Sequence, residues 1–191
     1  GYPEKVAVAD DRAYVALRDG VLAVDISTLS TPSNIGFHDA WGMSKGVALK
    51  GDHLFVSTDA LGVGVLDISG SGNPNLVESF ESLGAWYRIE VDGNYAFVAA
   101  YSGGLRVLDC TDPTNLSEVG VYDTPGFSVD LSVNGTHAFV ADRAEGMRII
   151  DVTNPLLPSE VGHFIPSDEV RGVHVDGTTA YVCAYGEGLR I

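Results

Sequence analysis

Gly146-Met147-Arg148-Ile149-Ile150-Asp151-Val152-Thr153-Asn154-Pro155 is the stretch on which the fold turns. The same phrase stands 42 residues earlier as Gly104-Leu105-Arg106-Val107-Leu108-Asp109-Cys110-Thr111-Asp112-Pro113. Working outward, the aspartate recurs at Asp25, Asp67, Asp109 and Asp151, 42 residues apart each time. An aromatic-valine pair recurs at Tyr14-Val15, Phe55-Val56, Phe97-Val98, Phe139-Val140 and Tyr181-Val182, with spacings of 41, 42, 42 and 42. The missing residue falls in the short loop Arg18-Asp19-Gly20, where a length change costs least. Self-similarity at a fixed period of this size signals stacked or radially arranged supersecondary units.

Each copy resolves into four short β-runs. In the third, Ile89-Glu90-Val91 alternates like a half-buried strand and stops at the hairpin-type turn Asp92-Gly93-Asn94. Tyr95 to Ala100 is the second strand, Leu105 to Asp109 the third and Leu116 to Tyr122 the fourth. No segment has helical periodicity with caps. The reading is an all-β protein, a β-propeller of four-stranded antiparallel blades of about 42 residues. Blades are expected at 4–44, 45–86, 87–128 and 129–170, with an incomplete fifth at 171–191, all in a single propeller domain. The sequence ends within a third strand, at Gly188-Leu189-Arg190-Ile191. The expectation is a portion of a longer ring of roughly six to eight blades, the alternative a five-bladed ring closed imperfectly or by a partner.

The residues that punctuate the repeat have local reasons. In Asp25-Ile26-Ser27, Asp67-Ile68-Ser69, Asp109-Cys110-Thr111 and Asp151-Val152-Thr153, short oxygen-bearing side chains can bond nearby backbone N–H groups at the strand end. Pro32, Pro74, Pro113 and Pro155 mark the outgoing turn. Gly20, Gly62, Gly104, Gly146 and Gly188 recur between second and third strands, where a positive φ is expected. Four equally spaced aspartates belong to separate blades and do not converge on one ion. Cys110 and Cys183 stand where other copies carry aliphatic or small residues, and both are read as buried free thiols rather than a disulfide framework.

Composition narrows the partners. The formal net charge of −15, from 26 acidic and 11 basic residues, repels a phosphate backbone, so nucleic acid is not an expected partner. The acidic surface suits solubility, saline surroundings or a cation such as Ca²⁺, and no other cofactor is called for. No apolar run reaches the roughly 20 residues of a spanning helix, and the opening residues lack the regions of a signal peptide.

The phrases Ala96-Phe97-Val98-Ala99, Gly104 to Asp109 and Gly146 to Pro155 resemble the LVIVD repeat, over essentially the whole chain. That resemblance implies the propeller fold and a bacterial or archaeal surface or secreted protein, so an extracellular or cell-surface location is expected. Its motif residues are structural, and no catalytic position carries over. The first copy departs from the pattern in Val21-Leu22-Ala23-Val24-Asp25, which has no arginine, and the second has Gly64 there.

Function is sought where the copies differ, since a residue present in one blade is not a requirement of every blade. The differences cluster before each first strand, at 37–45, 81–88, 123–130 and 166–171, which blade geometry places on one face around the channel mouth. These loops carry Trp41, Lys45, Trp86, Tyr87, Arg88, Asp123, Phe127, Asp168 and Arg171, the aromatic and mixed-charge composition of a binding surface. The competing reading packs the aromatics between blades and pairs the charges in solvent. His38, His53, His137, His163 and His174 form no His-x-x-x-His pair and show no ligand spacing, and neither a nucleophile elbow nor a phosphate loop occurs. The leading expectation is a non-enzymatic scaffold or binding module for a protein or glycan. The alternatives are a subunit that self-associates through an open blade edge, and a channel-mouth hydrolase or lyase with a divalent ion.

Overall fold

The computed structural model describes residues 1–39, 42–70 and 72–191, and all its strands are antiparallel. The first sheet is β1 (Pro3–Ala9), β2 (Arg12–Leu17), β3 (Gly20–Asp25) and β4 (Ser33–Asp39). The second is β5 (Ser44–Lys50), β6 (His53–Thr58), β7 (Gly62–Asp67) and β8 (Asn75–Phe80). The third comprises β9 (Ile89–Asp92), β10 (Tyr95–Ala99), β11 (Leu105–Asp109) and β12 (Ser117–Tyr122), and the fourth β13 (Asp130–Asn134), β14 (His137–Ala141), β15 (Met147–Asp151) and β16 (Ser159–Phe164). The fifth has three strands, β17 (Val170–Asp176), β18 (Thr179–Ala184) and β19 (Gly188–Arg190). Within each sheet sequence order is spatial order, and the first strands of successive sheets pack side by side, β1 on β5, β5 on β9, β9 on β13 and β13 on β17. Five blades thus stand around a channel lined by their first strands.

Burial follows from this arrangement. A sheet flanked on both sides buries both faces, so successive residues of β6 and β10, such as Leu54, Phe55 and Val56 or Ala96, Phe97 and Val98, are all buried. Among the described residues the first sheet packs on the second alone and the fifth on the fourth alone. Val6 and Val8 are therefore 51% and 56% exposed, while Tyr14, Ala16, Val21 and Ala23 are buried against the second sheet. The same asymmetry corrects one expectation. Cys110 is a buried free thiol, but Cys183 is exposed, because it lies on the outward face of the fifth sheet.

Local chemistry repeats with the blades. Asp25, Asp67, Asp109 and Asp151 each accept a 2.8 Å hydrogen bond at Oδ1 from the backbone N–H two residues on, which closes the expected turn. The glycine before the third strand has φ of 88°, 70°, 84° and 79° at Gly62, Gly104, Gly146 and Gly188; the first copy, one residue shorter here, has an extended Gly20 at 159°. Side chains of first strands also reach backbone N–H groups of the next blade. Glu90 accepts from Val133 N–H at 2.9 Å and Asp130 from Val173 N–H at 3.0 Å, so the blades are joined by more than apolar contact.

Candidate functional site

A repeated irregularity at the start of the first strands builds the channel mouth. Strand register shifts by one residue at Glu4 in β1, Lys45 in β5 and Arg171 in β17, each a β-bulge against the second strand of its blade. Neighbouring residues of a regular strand point to opposite faces; a bulge re-aims one of them. Glu4 and Lys5 thereby both face one cavity of about 270 Å³, together with Lys45, Arg88, Asp130 and Arg171. Tyr87 and Val129, which occupy in blades three and four the place of Lys45 in blade two, complete its wall.

Charges in this mouth are paired both within and across blades. Lys45 Nζ lies 3.5 Å from Glu4, and Arg88 bridges Glu90 at 2.8 Å and Asp130 at 3.5 Å. Arg171 pairs with Glu169 at 3.0 Å. Lys5 has no carboxylate within 4.0 Å among the described residues; burial, and then repulsion from Arg88, hold its ammonium below the usual lysine value. Burial likewise pushes Asp130 above the ordinary carboxylate value, against the pull of the Val173 N–H and Arg88.

An aromatic column runs outward from the cavity wall. Tyr87 stacks on Tyr101 at 5.4 Å between centroids, and Tyr101 on Phe127 at 4.6 Å. Lys45 lies 5.6 Å from the Tyr87 centroid, the Arg143 guanidinium 5.4 Å from that of Tyr101, and Arg171 3.9 Å from that of Tyr185. Tyr101 and Arg143 hold φ near 50° and each pairs its backbone with the loop that enters the next blade, at Ser128 and Val170. That contact carries the column from blade to blade.

The loop residues singled out from the sequence thus part company. Lys45, Tyr87, Arg88 and Arg171 meet at the mouth, and Phe127, 45% exposed, joins through Tyr101. Trp86 does not: it is 2% exposed between sheets two and three, its ring 5.7 Å from Phe80. Asp123 lies on the rim against Arg106 at 3.2 Å, and Asp168 accepts from Gly186 N–H at 2.8 Å to shape the β18–β19 loop. Trp41 lies outside the described residues. Sequence reasoning missed Tyr101, Arg143 and Tyr185, which occupy one repeat position with Arg18 and Asp59. Comparing the copies at that second-to-third-strand loop would have found them. A further difference is Asp142, a buried carboxylate unique to blade four, which accepts from Thr124 Oγ1 at 2.6 Å, Gly126 N–H at 2.8 Å and Ser128 Oγ at 3.1 Å. Among the described residues no three His, Cys, Asp or Glu side chains are grouped to hold a metal ion, and no helix is long and apolar enough to cross a membrane.

Comparison with known proteins agrees with this architecture. The LVIVD repeat family model matches residues 1–39, 41–82, 84–124 and 125–165, and the chain belongs to that family. Among solved structures it is similar to the computationally designed Ika8 protein (12% identity, TM-score 0.76, covering 95% of this chain and 55% of that one). It is also similar to a functionally unknown protein from Desulfotomaculum acetoxidans (13%, TM-score 0.75, covering 95% and 62%). The designed Ika4 protein matches at 10% identity and TM-score 0.68, covering 80% of this chain and 92% of that one. At such identities these likenesses concern the fold alone, and the chain spans less than two thirds of the length of Ika8 and of the Desulfotomaculum protein. No curated protein matches the chain.

Proposed function

We propose that this propeller is a binding module, acting outside the cell or at its surface, that holds a glycan at the mouth of its channel. The observation that carries the reading is the Tyr87–Tyr101–Phe127 column, built from three loops on the face where the copies differ most. A stack that ends in a half-exposed ring is an anchor with little conformational entropy to lose on binding. A concave mouth beside it, smaller than the roughly 300–1,000 Å³ of a drug-sized site, suits one sugar-sized group rather than a flat protein epitope. An extracellular or surface location is taken from the family resemblance.

The test is binding to immobilised oligosaccharides by the protein and by its Tyr101→Ala and Phe127→Ala variants, with the folded fraction followed by circular dichroism. Loss of binding by folded variants supports the reading. Undiminished binding by both would remove the column from the site, and capture of polypeptide ligands alone would make the module a protein binder.

A further inference from the structure

The charge at the channel mouth is opposite to that of the molecule. The chain carries 11 basic residues against 26 acidic ones, yet Lys5, Lys45, Arg88, Arg143 and Arg171 gather on this face. The cavity wall holds four cations against two carboxylates, Glu4 and Asp130, and two more carboxylates, Glu90 and Glu169, pair with Arg88 and Arg171 from beside it. Among the described residues two of the five cations form no ion pair, Lys5 feeling Asp130 and Glu90 only from farther off. Neither Lys5 nor Arg143 has a carboxylate within 4.0 Å among the described residues, and the guanidinium of Arg143 rests near Tyr101 with its Nε buried and unbonded. Cations held together in a partly desolvated mouth repel one another, and an anion placed among them relieves that repulsion. The surrounding net negative charge works the other way on a densely charged polymer, which it repels at a distance.

We propose that the mouth is an anion site that takes a single carboxylate or sulfate, carried by an acidic sugar that ends a glycan, while the following sugars run outward along the aromatic column. The inference rests on the glycan-binding reading above and specifies its ligand. Lys5 on the cavity wall supplies uncommitted positive charge, Arg143 adds to it from beside Tyr101, and Lys45, between Glu4 and Tyr87, can turn its ammonium to a ligand at the cost of one partly exposed ion pair. Tyr87 belongs to both the cavity and the column, so it fixes where the acidic sugar meets the next one.

The experiment uses immobilised oligosaccharides in matched pairs, neutral or ended by a uronate, a sialate or a sulfate, against the protein and a Lys5→Gln/Lys45→Gln double variant. Acid-ended members should be preferred, and the double variant should lose about tenfold in affinity for them while retaining the neutral ones. A Lys50→Gln variant, altered at the far end of β5, should keep the preference. Preference for carboxylates alone or sulfates alone would identify the source of the anion within the same site. Binding without acid preference, or a preference that survives the double variant, overturns the inference and leaves the glycan reading standing. Absence of any oligosaccharide binding by the folded protein overturns both.

Discussion

Trp86→Ala and Phe127→Ala separate the two ways in which a loop aromatic can serve this fold. Trp86 is 2% exposed, in one buried cluster with Val63 and Ala100 and beside the ring of Phe80. Its burial removes on the order of 200 Å² of mostly apolar surface from water, about 5 kcal/mol as an upper bound at about 25 cal/mol/Å². Truncation to alanine leaves a void between sheets two and three, and the expected loss is about 3–5 kcal/mol. Phe127, 45% exposed, keeps nearly half its surface in water when folded, so its truncation should cost about 1–2 kcal/mol, stacking on Tyr101 included. Equilibrium urea unfolding followed by far-ultraviolet circular dichroism gives both values without depending on the tryptophan signal. Trp86→Ala should lower the midpoint by at least twice as much as Phe127→Ala, while binding per folded molecule falls only for Phe127→Ala. Equal midpoints for the two variants, or a Trp86→Ala cost below about 1 kcal/mol, would refute the placement of Trp86 between the blades.

Asp142→Ala removes the acceptor for Thr124, Ser128 and the Gly126 N–H and should cost about 3 kcal/mol, read as a shift in urea midpoint; a change under about 1 kcal/mol would show that water replaces the carboxylate. Asp25, Asp67, Asp109 and Asp151 are held below the ordinary value of 3.8 by hydrogen bonds from Ser27, Ser69, Thr111 and Thr153. A folded pKa below the unfolded one adds stability above the unfolded value that is lost as pH falls through the folded value, so thermal melts should weaken below about pH 4. Asparagine at the four positions keeps the acceptor without titrating and should flatten that acid limb; an unchanged limb would place the titration elsewhere. Cys183 should react with a thiol reagent in the folded protein and Cys110 only after denaturant is added, and equal rates would contradict their different burial. Gly120→Ala should destabilise strongly, because a Cβ there would stand 2.0 Å from the Pro155 carbonyl oxygen of the next blade; a stable variant would mean that the two sheets can separate locally.

The fold was legible because each blade states the same rule in its own words. An apolar pair in the second strand, a glycine, a third strand ending in aspartate and a proline turn recur at nearly constant spacing, and repetition makes each copy a test of the others. The direction of a loop aromatic was not legible, since Trp86 and Tyr87 are neighbours of the same chemical kind. The chain there is fixed by Trp86 N–H to the Thr58 carbonyl and Tyr87 N–H to that of Ala99, which turn one ring between the sheets and the other to the mouth. Nothing local to the sequence records which of the two faces inward. Cys183 was misplaced for a related reason: its repeat position is buried in a blade flanked on both sides, and position in the repeat does not say which blades are flanked.

The bulges connect these observations to function. A regular first strand would alternate its side chains between the two faces of the blade and leave no consecutive pair for the mouth. One extra residue at Glu4, Lys45 and Arg171 re-aims that side chain toward the mouth without altering the ladder beyond it, and in blade one it brings Glu4 and Lys5 there together. These positions hold glutamate, lysine, tyrosine, valine and arginine in successive blades, and of the five only Val129 is an aliphatic residue packed against a blade core. The position after the second strand, facing them across the loop, varies just as widely, from Arg18 to Asp59, Tyr101, Arg143 and Tyr185. Two such positions per blade give a ring whose chemistry can change residue by residue while the sheets stay as they are. Replacing Tyr101 and Arg143 together should therefore alter what the mouth binds and shift the urea midpoint by less than Trp86→Ala alone does; a larger shift would mean that the column holds the blades together rather than presenting a site.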